Sequence, residues 1–135
     1  MEVSLSKPVQ IGVDAFHKAV GHGSAQVFYA KPDRSEKGLN IRFGDHKDID
    51  IRNLNETHTL LCSGNENLDL EDFFCNLQGE RWSPNGEANA LIRSKGLAHT
   101  SMSIGDIVVL PIENSTQNKV MFVANVGFVC LGFIE

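Results

Sequence analysis

Residues 107–112 read Ile-Val-Val-Leu-Pro-Ile, a run that is apolar on both faces of a strand. A strand turns successive side chains to opposite faces of its sheet, so a strand of this composition is expected to be covered on both. Gly105-Asp106 turns the chain into it. Asn114-Ser115-Thr116-Gln117-Asn118 has turn chemistry, so Lys119 to Ala124 should return antiparallel as a hairpin. The tail, Phe128 to Ile134, is a final strand, and a segment this apolar is expected to dock in the sheet.

Shorter runs precede it. Ala25 to Ala30 reads as a strand ended by Lys31-Pro32-Asp33, because proline brings no donor to a ladder. Leu39-Asn40-Ile41-Arg42-Phe43 alternates with period two and stops at Gly44-Asp45, and Asp48 to Arg52 alternates likewise. Both are expected as strands, as is Thr57 to Cys62. Before them, Asp14 is placed to cap a short helix carrying Phe16, Ala19 and Val20, closed by Gly21.

The middle of the chain is expected to be helical. Leu70, Phe73, Phe74 and Leu77 fall at i, i+3, i+4 and i+7, with acids at the amino end and Gly79 placed as a stop. Ser83-Pro84 signals a second helix with Ala88, Leu91 and Ile92 on its apolar side, ended by Gly96. Residues 1–135 are thus expected to form one α+β domain. Its sheet should be mainly antiparallel, with a curl towards a barrel as one option, and should carry two helices in the middle and a carboxy-terminal hairpin plus final strand.

Composition bounds the function. The chain carries 17 acids against 12 Lys and Arg, a formal net charge of −5, which disfavours a generic phosphate-binding surface. The densest charged stretch, Asp45 to Arg52, mixes both signs. No signal peptide and no membrane span are expected, so the sequons at Asn55 and Asn114 read as chance matches in a cytoplasmic protein. Cys62, Cys75 and Cys130 are odd in number, far apart and set among apolar neighbours, which fits small core residues better than a disulfide or zinc framework. The five histidines lie on different elements, so no metal and no cofactor is expected.

Two segments invite function. His99 to Asp106 is the densest polar cluster, with His99, Ser101, Ser103 and Asp106 as candidate binding residues. Adjacency in sequence does not make a catalytic triad, and the structural reading is a turn in which serines and aspartate bond nearby amides. Arg81 and Trp82, in a loop between the two helices, are of the types that anchor interfaces, although Trp82 could equally lid the core. Tyr29 and Phe43, with Arg42, offer an alternative surface for stacking nucleic-acid bases.

The segment Leu97-Ala98-His99-Thr100-Ser101-Met102-Ser103-Ile104-Gly105-Asp106-Ile107-Val108, followed by Val126-Gly127-Phe128, resembles the carboxy-terminal pattern of small bacterial proteins from plasmids, phages and integrative elements, including the YodL-like family. The resemblance covers the carboxy-terminal half. It implies a bacterial mobile-element accessory protein and brings no activity or catalytic residues with it. The expectation is a non-enzymatic protein-binding module, such as an anti-defence inhibitor acting on a host or element-encoded protein. The alternatives are a small barrel-like nucleic-acid-binding protein and, third, a hydrolase-type enzyme centred on His99, Ser101 and Asp106.

Overall fold

The computed structural model describes residues 25–64, 70–78, 86 and 88–135. In chain order these form β1 (Ala25–Ala30), α1 (Glu36–Arg42), a 3-10 turn (Leu54–Glu56), β2 (His58–Gly64), α2 (Leu70–Asn76), α3 (Asn89–Ser94), β3 (Ile107–Pro111), β4 (Asn118–Val123) and β5 (Phe128–Ile134). The strands make one antiparallel sheet in the order β2-β1-β3-β4-β5. The α+β expectation holds, and β2 and β5 end the sheet rather than meeting, so it does not close into a barrel.

The continuous apolar character of β3 follows from its central place. Val108 and Leu110 face one core cluster, with Val27 and Tyr29 of β1 and with Leu77, Leu91, Ile92, Leu97 and Met102. Ile107 and Val109 face the other, with Phe28, Val120 and Phe122 and with Ile41 and Leu54. Helices α2 and α3 cover the first face, and α1 with the 3-10 turn covers the second. One bulge lets Leu61 and Cys62 both face the first cluster, since Val27 opposes Cys62 while Phe28 opposes Leu60. A second leaves Leu131 unopposed in β5, where an irregularity also blunts an exposed edge.

Two expected strands are not strands. Leu39 to Arg42 lies in α1, with Phe43 at its carboxy-terminal cap, and the amino end of the helix is built by local bonds. Asp33 accepts from the Ser35 backbone and hydroxyl, both at 2.8 Å, and Ser35 Oγ accepts from Gly38 N–H at 3.2 Å. A helix scatters period-two residues around its axis, so Ile41 is buried while Phe43 is 72% exposed. Asp48 to Arg52 forms turns, with Asp50 Oδ1 accepting from Arg52 N–H at 3.0 Å. Aspartate side chains there bond to the backbone and draw it away from a ladder.

The helix at Leu70 appears as expected, with Leu77 buried just beyond its end. The other spans Asn89–Ser94, where Ala88 makes no side-chain cap; the Ser83–Pro84 signal lies outside the described residues with Gly79 and the Asp14 segment. Gly96 ends α3 at φ +71°, and Leu97 N–H reaches back to Ile92 O at 3.1 Å. Of the cysteines, only Cys62 is a core residue, whereas Cys75 and Cys130 are exposed. Among the described residues, no helix is long and apolar enough to cross a membrane.

Candidate functional site

The loop from Leu97 to Asp106 joins α3 to β3 and folds around the Asp106 side chain. This carboxylate is fully buried. It accepts from Ala30 N–H at 2.8 Å, from Ser103 N–H at 2.8 Å and from His99 Nε2, which lies 2.9 Å from both oxygens. Burial pushes its pKa up, and the His99 hydrogen bond and charge, with the two amides, oppose that rise. Every partner donates, so the cage is built for the ionised form. Asp106 O also accepts from Val123 N–H at 2.9 Å, which makes this one residue a tie between β1, β3 and β4.

His99 is held on a second side. Its ring stacks on Tyr29 with centroids 4.6 Å apart and planes 13° from parallel. Tyr29 is itself buried and donates its hydroxyl proton to Thr100 O at 2.9 Å. Since Nε2 donates to Asp106, Nδ1 is the ring nitrogen left for other partners, and it has none among the described residues.

Behind the loop sits His58, with no solvent exposure. Its Nε2 donates to Gly105 O at 2.7 Å, which fixes the tautomer and leaves Nδ1 to accept from the Thr57 hydroxyl, also at 2.7 Å. Burial lowers its pKa to about 4, so this histidine is neutral and fully satisfied. The carbonyl it binds is presented by a tight turn. Gly105 has φ +100°, and a Cβ there would come within 2.8 Å of Ile41 O.

The structure therefore unites His99, Ser103 and Asp106. Ser101 joins through its carbonyl, which accepts from the Ser103 hydroxyl at 2.8 Å. With that hydroxyl committed to a carbonyl, Ser103 stabilises the loop and is not paired with His99 as a nucleophile. Arg81 and Trp82 lie outside the described residues. Tyr29, at 0% exposure, is unavailable to stack on a base, which separates it from Phe43 as a surface pair. Among the described residues no three His, Cys, Asp or Glu side chains gather to hold a metal.

Two concave regions flank the loop. A cleft of about 590 Å³ is lined by Asn89, Arg93, His99, Thr100, Ser101 and Ser103, among others. A groove of about 410 Å³ is lined mainly by Phe74, Cys75, Ile104, Ala124 and Phe128, with Glu71 beside them. No family model, curated protein or solved structure matches the chain. Its site must be judged on its own geometry.

The groove was not legible as a site in the sequence. It joins α2 to the loop before β3 and to the β4–β5 turn, segments far apart in the chain. The available signal was Ile104 and Val126 standing in turns beside glycine, where polar residues are usual. His58 was missed, and Tyr29 was expected on a stacking surface instead, for a related reason: nothing local reveals that their polar atoms meet the 99–106 loop.

Proposed function

We propose that this protein is a non-enzymatic protein-binding module that docks its partner through the apolar end around the groove. The observation that supports this reading is the gathering of large exposed apolar side chains there. Phe43 is 72% exposed, Val126 91% and Ile104 37%. Their segments converge: the Cβ position of Gly44 falls 2.6 Å from the Asn125 side chain, and that of Gly105 falls 2.8 Å from Ile41 O. Beside them, Phe74 and Phe128 meet edge to face with centroids 6.3 Å apart, forming an aromatic wall of the groove.

Contiguous exposed apolar surface favours a contact, and burying one such side chain contributes roughly 1.5–3 kcal/mol. The groove would receive an apolar anchor from the partner, while Phe43 would supply one. The net charge of −5 favours a partner surface that is basic around that anchor.

The test is capture of a partner from bacterial lysate after nuclease treatment, comparing wild type with the doubly substituted Phe43→Glu, Val126→Glu protein. Both positions are exposed, so the unfolding midpoint should be unchanged. A stoichiometric protein held by wild type and lost by the variant supports the reading. Equal capture by both, or recovery of nucleic acid alone, sinks it.

A further inference from the structure

The two edges of the sheet differ. In β2 four of the seven residues are buried, whereas in β5 none is, although six of its seven residues are apolar. Phe133 is 49% exposed, and Cys130 is exposed as well. Among the described residues only β4 pairs with β5, so the outer side of that strand offers its backbone donors and acceptors to solvent. Open edges of this kind are usually guarded by lysine, proline or an inward charge. Residues 120–134 contain none of these, which leaves the bulge at Leu131 as the guard.

We propose that β5 is a homodimer interface, pairing antiparallel with β5 of a second copy across a two-fold axis and joining two five-stranded sheets into one. Open ladder groups call for a strand as their occupant, not a helix or a small molecule. Charge favours a copy of this chain as the source of that strand. Each copy carries a net −5, so two copies repel over most of their surfaces. Residues 120–134 are the longest stretch of the chain without a charged side chain, so contact there brings the least repulsion.

Register favours it too. Phe128 and Phe133 oppose Val123 and Lys119, on the sheet face that α2 and α3 cover, while Val129 and Gly132 oppose Phe122 and Val120, on the other. Pairing that sets Phe128 against the other copy's Phe133 also sets Val129 against its Gly132, so both faces stay in phase. The axis then passes between Cys130 and Leu131, at the bulge, and the symmetry yields two Phe128–Phe133 cross-strand pairs. A slip of one residue opposes Phe133 to Val129 and breaks that phase. The strand is seven residues long, and at about 3.4 Å per residue and about 10 Å of depth the joined edges bury on the order of 500 Å² in all. That is below the roughly 1,000 Å² of a permanent interface, so the dimer forms reversibly, at about 10–500 μM.

Phe128 also walls the groove, but self-association is read without any partner, so this inference and the groove reading can fail separately. Sedimentation velocity of the full chain from about 10 to about 500 μM should show the average mass rising from one chain towards two. Phe133→Lys puts a charge on the open edge at a half-exposed position. It should weaken association about tenfold or more and leave the unfolding midpoint unchanged. Backbone amide exchange locates the contact: protection in residues 128–134 should rise with concentration in the wild type. A monomer throughout that range, a dimer that Phe133→Lys leaves intact, or β5 exchange indifferent to concentration overturns the inference.

Discussion

Acidification should destabilise this protein through His58. In the native state the imidazole is neutral, donating to Gly105 O and accepting from the Thr57 hydroxyl. Its pKa falls from 6.5 to about 4, first because burial penalises the charge. The unfolded chain binds a proton near pH 6.5 while the folded protein does not. The stability that His58 contributes is therefore complete above that pH and is lost as pH falls towards 4. At 1.36 kcal/mol per pKa unit, the loss between pH 8 and pH 4.5 is roughly 2.5 kcal/mol. Asp106 acts in the opposite sense. Its raised pKa means that protonation at low pH relieves the cost of a buried charge, so the wild-type curve alone mixes the two effects.

His58→Gln separates them. Glutamine keeps a donor and an acceptor but cannot titrate, so its urea unfolding free energy should fall less on acidification. The difference between wild type and variant should close by roughly 2.5 kcal/mol from pH 8 to pH 4.5. Parallel curves over that range would show that His58 takes up its proton equally in the folded and the unfolded chain, and the account of the buried tautomer would be wrong.

Four further outcomes test the architecture. Asp106→Ala strands the Ala30 and Ser103 amides and removes the partner of His99, so urea unfolding should register a loss of about 3 kcal/mol. Gly105→Ala combines φ +100° with a Cβ 2.8 Å from Ile41 O, and should lower stability by about 2 kcal/mol or more in the same assay. Gly96→Ala, at φ +71° with nothing within 4 Å, should cost only about 1 kcal/mol. Truncation after Asn125 removes β5, stripping Leu131 and Ile134 from the second cluster and Phe128 from the first. The product should partition into the insoluble fraction, and a folded, soluble truncation would contradict this.

The elements legible in the sequence are those whose cause is local. β3 and its hairpin with β4 follow from an apolar run and a polar turn, and β1 from alternation ended at Pro32. The apolar face of α2 and the glycine stop of α3 likewise lie within a few residues of their effects. Leu39 to Phe43 misled because a period-two pattern is the same string whether or not a sheet has room for it. The capping bonds of Asp33 and Ser35 decided the outcome. The turn role of Ser103 and Asp106 was also legible, since the Ser103 amide and the Asp106 carboxylate are three residues apart.

What tertiary structure alone decided is which distant groups that turn would meet. Tyr29 is 71 residues from Thr100, Ala30 76 from Asp106, and His58 47 from Gly105. Local sequence sets backbone preference through sterics and short-range hydrogen bonds, which act over one turn of chain. Burial, tautomer and cleft lining are set by the packing of strands against one another. They came into being when β1 slotted between β2 and β3 and carried Tyr29 under the His99 ring.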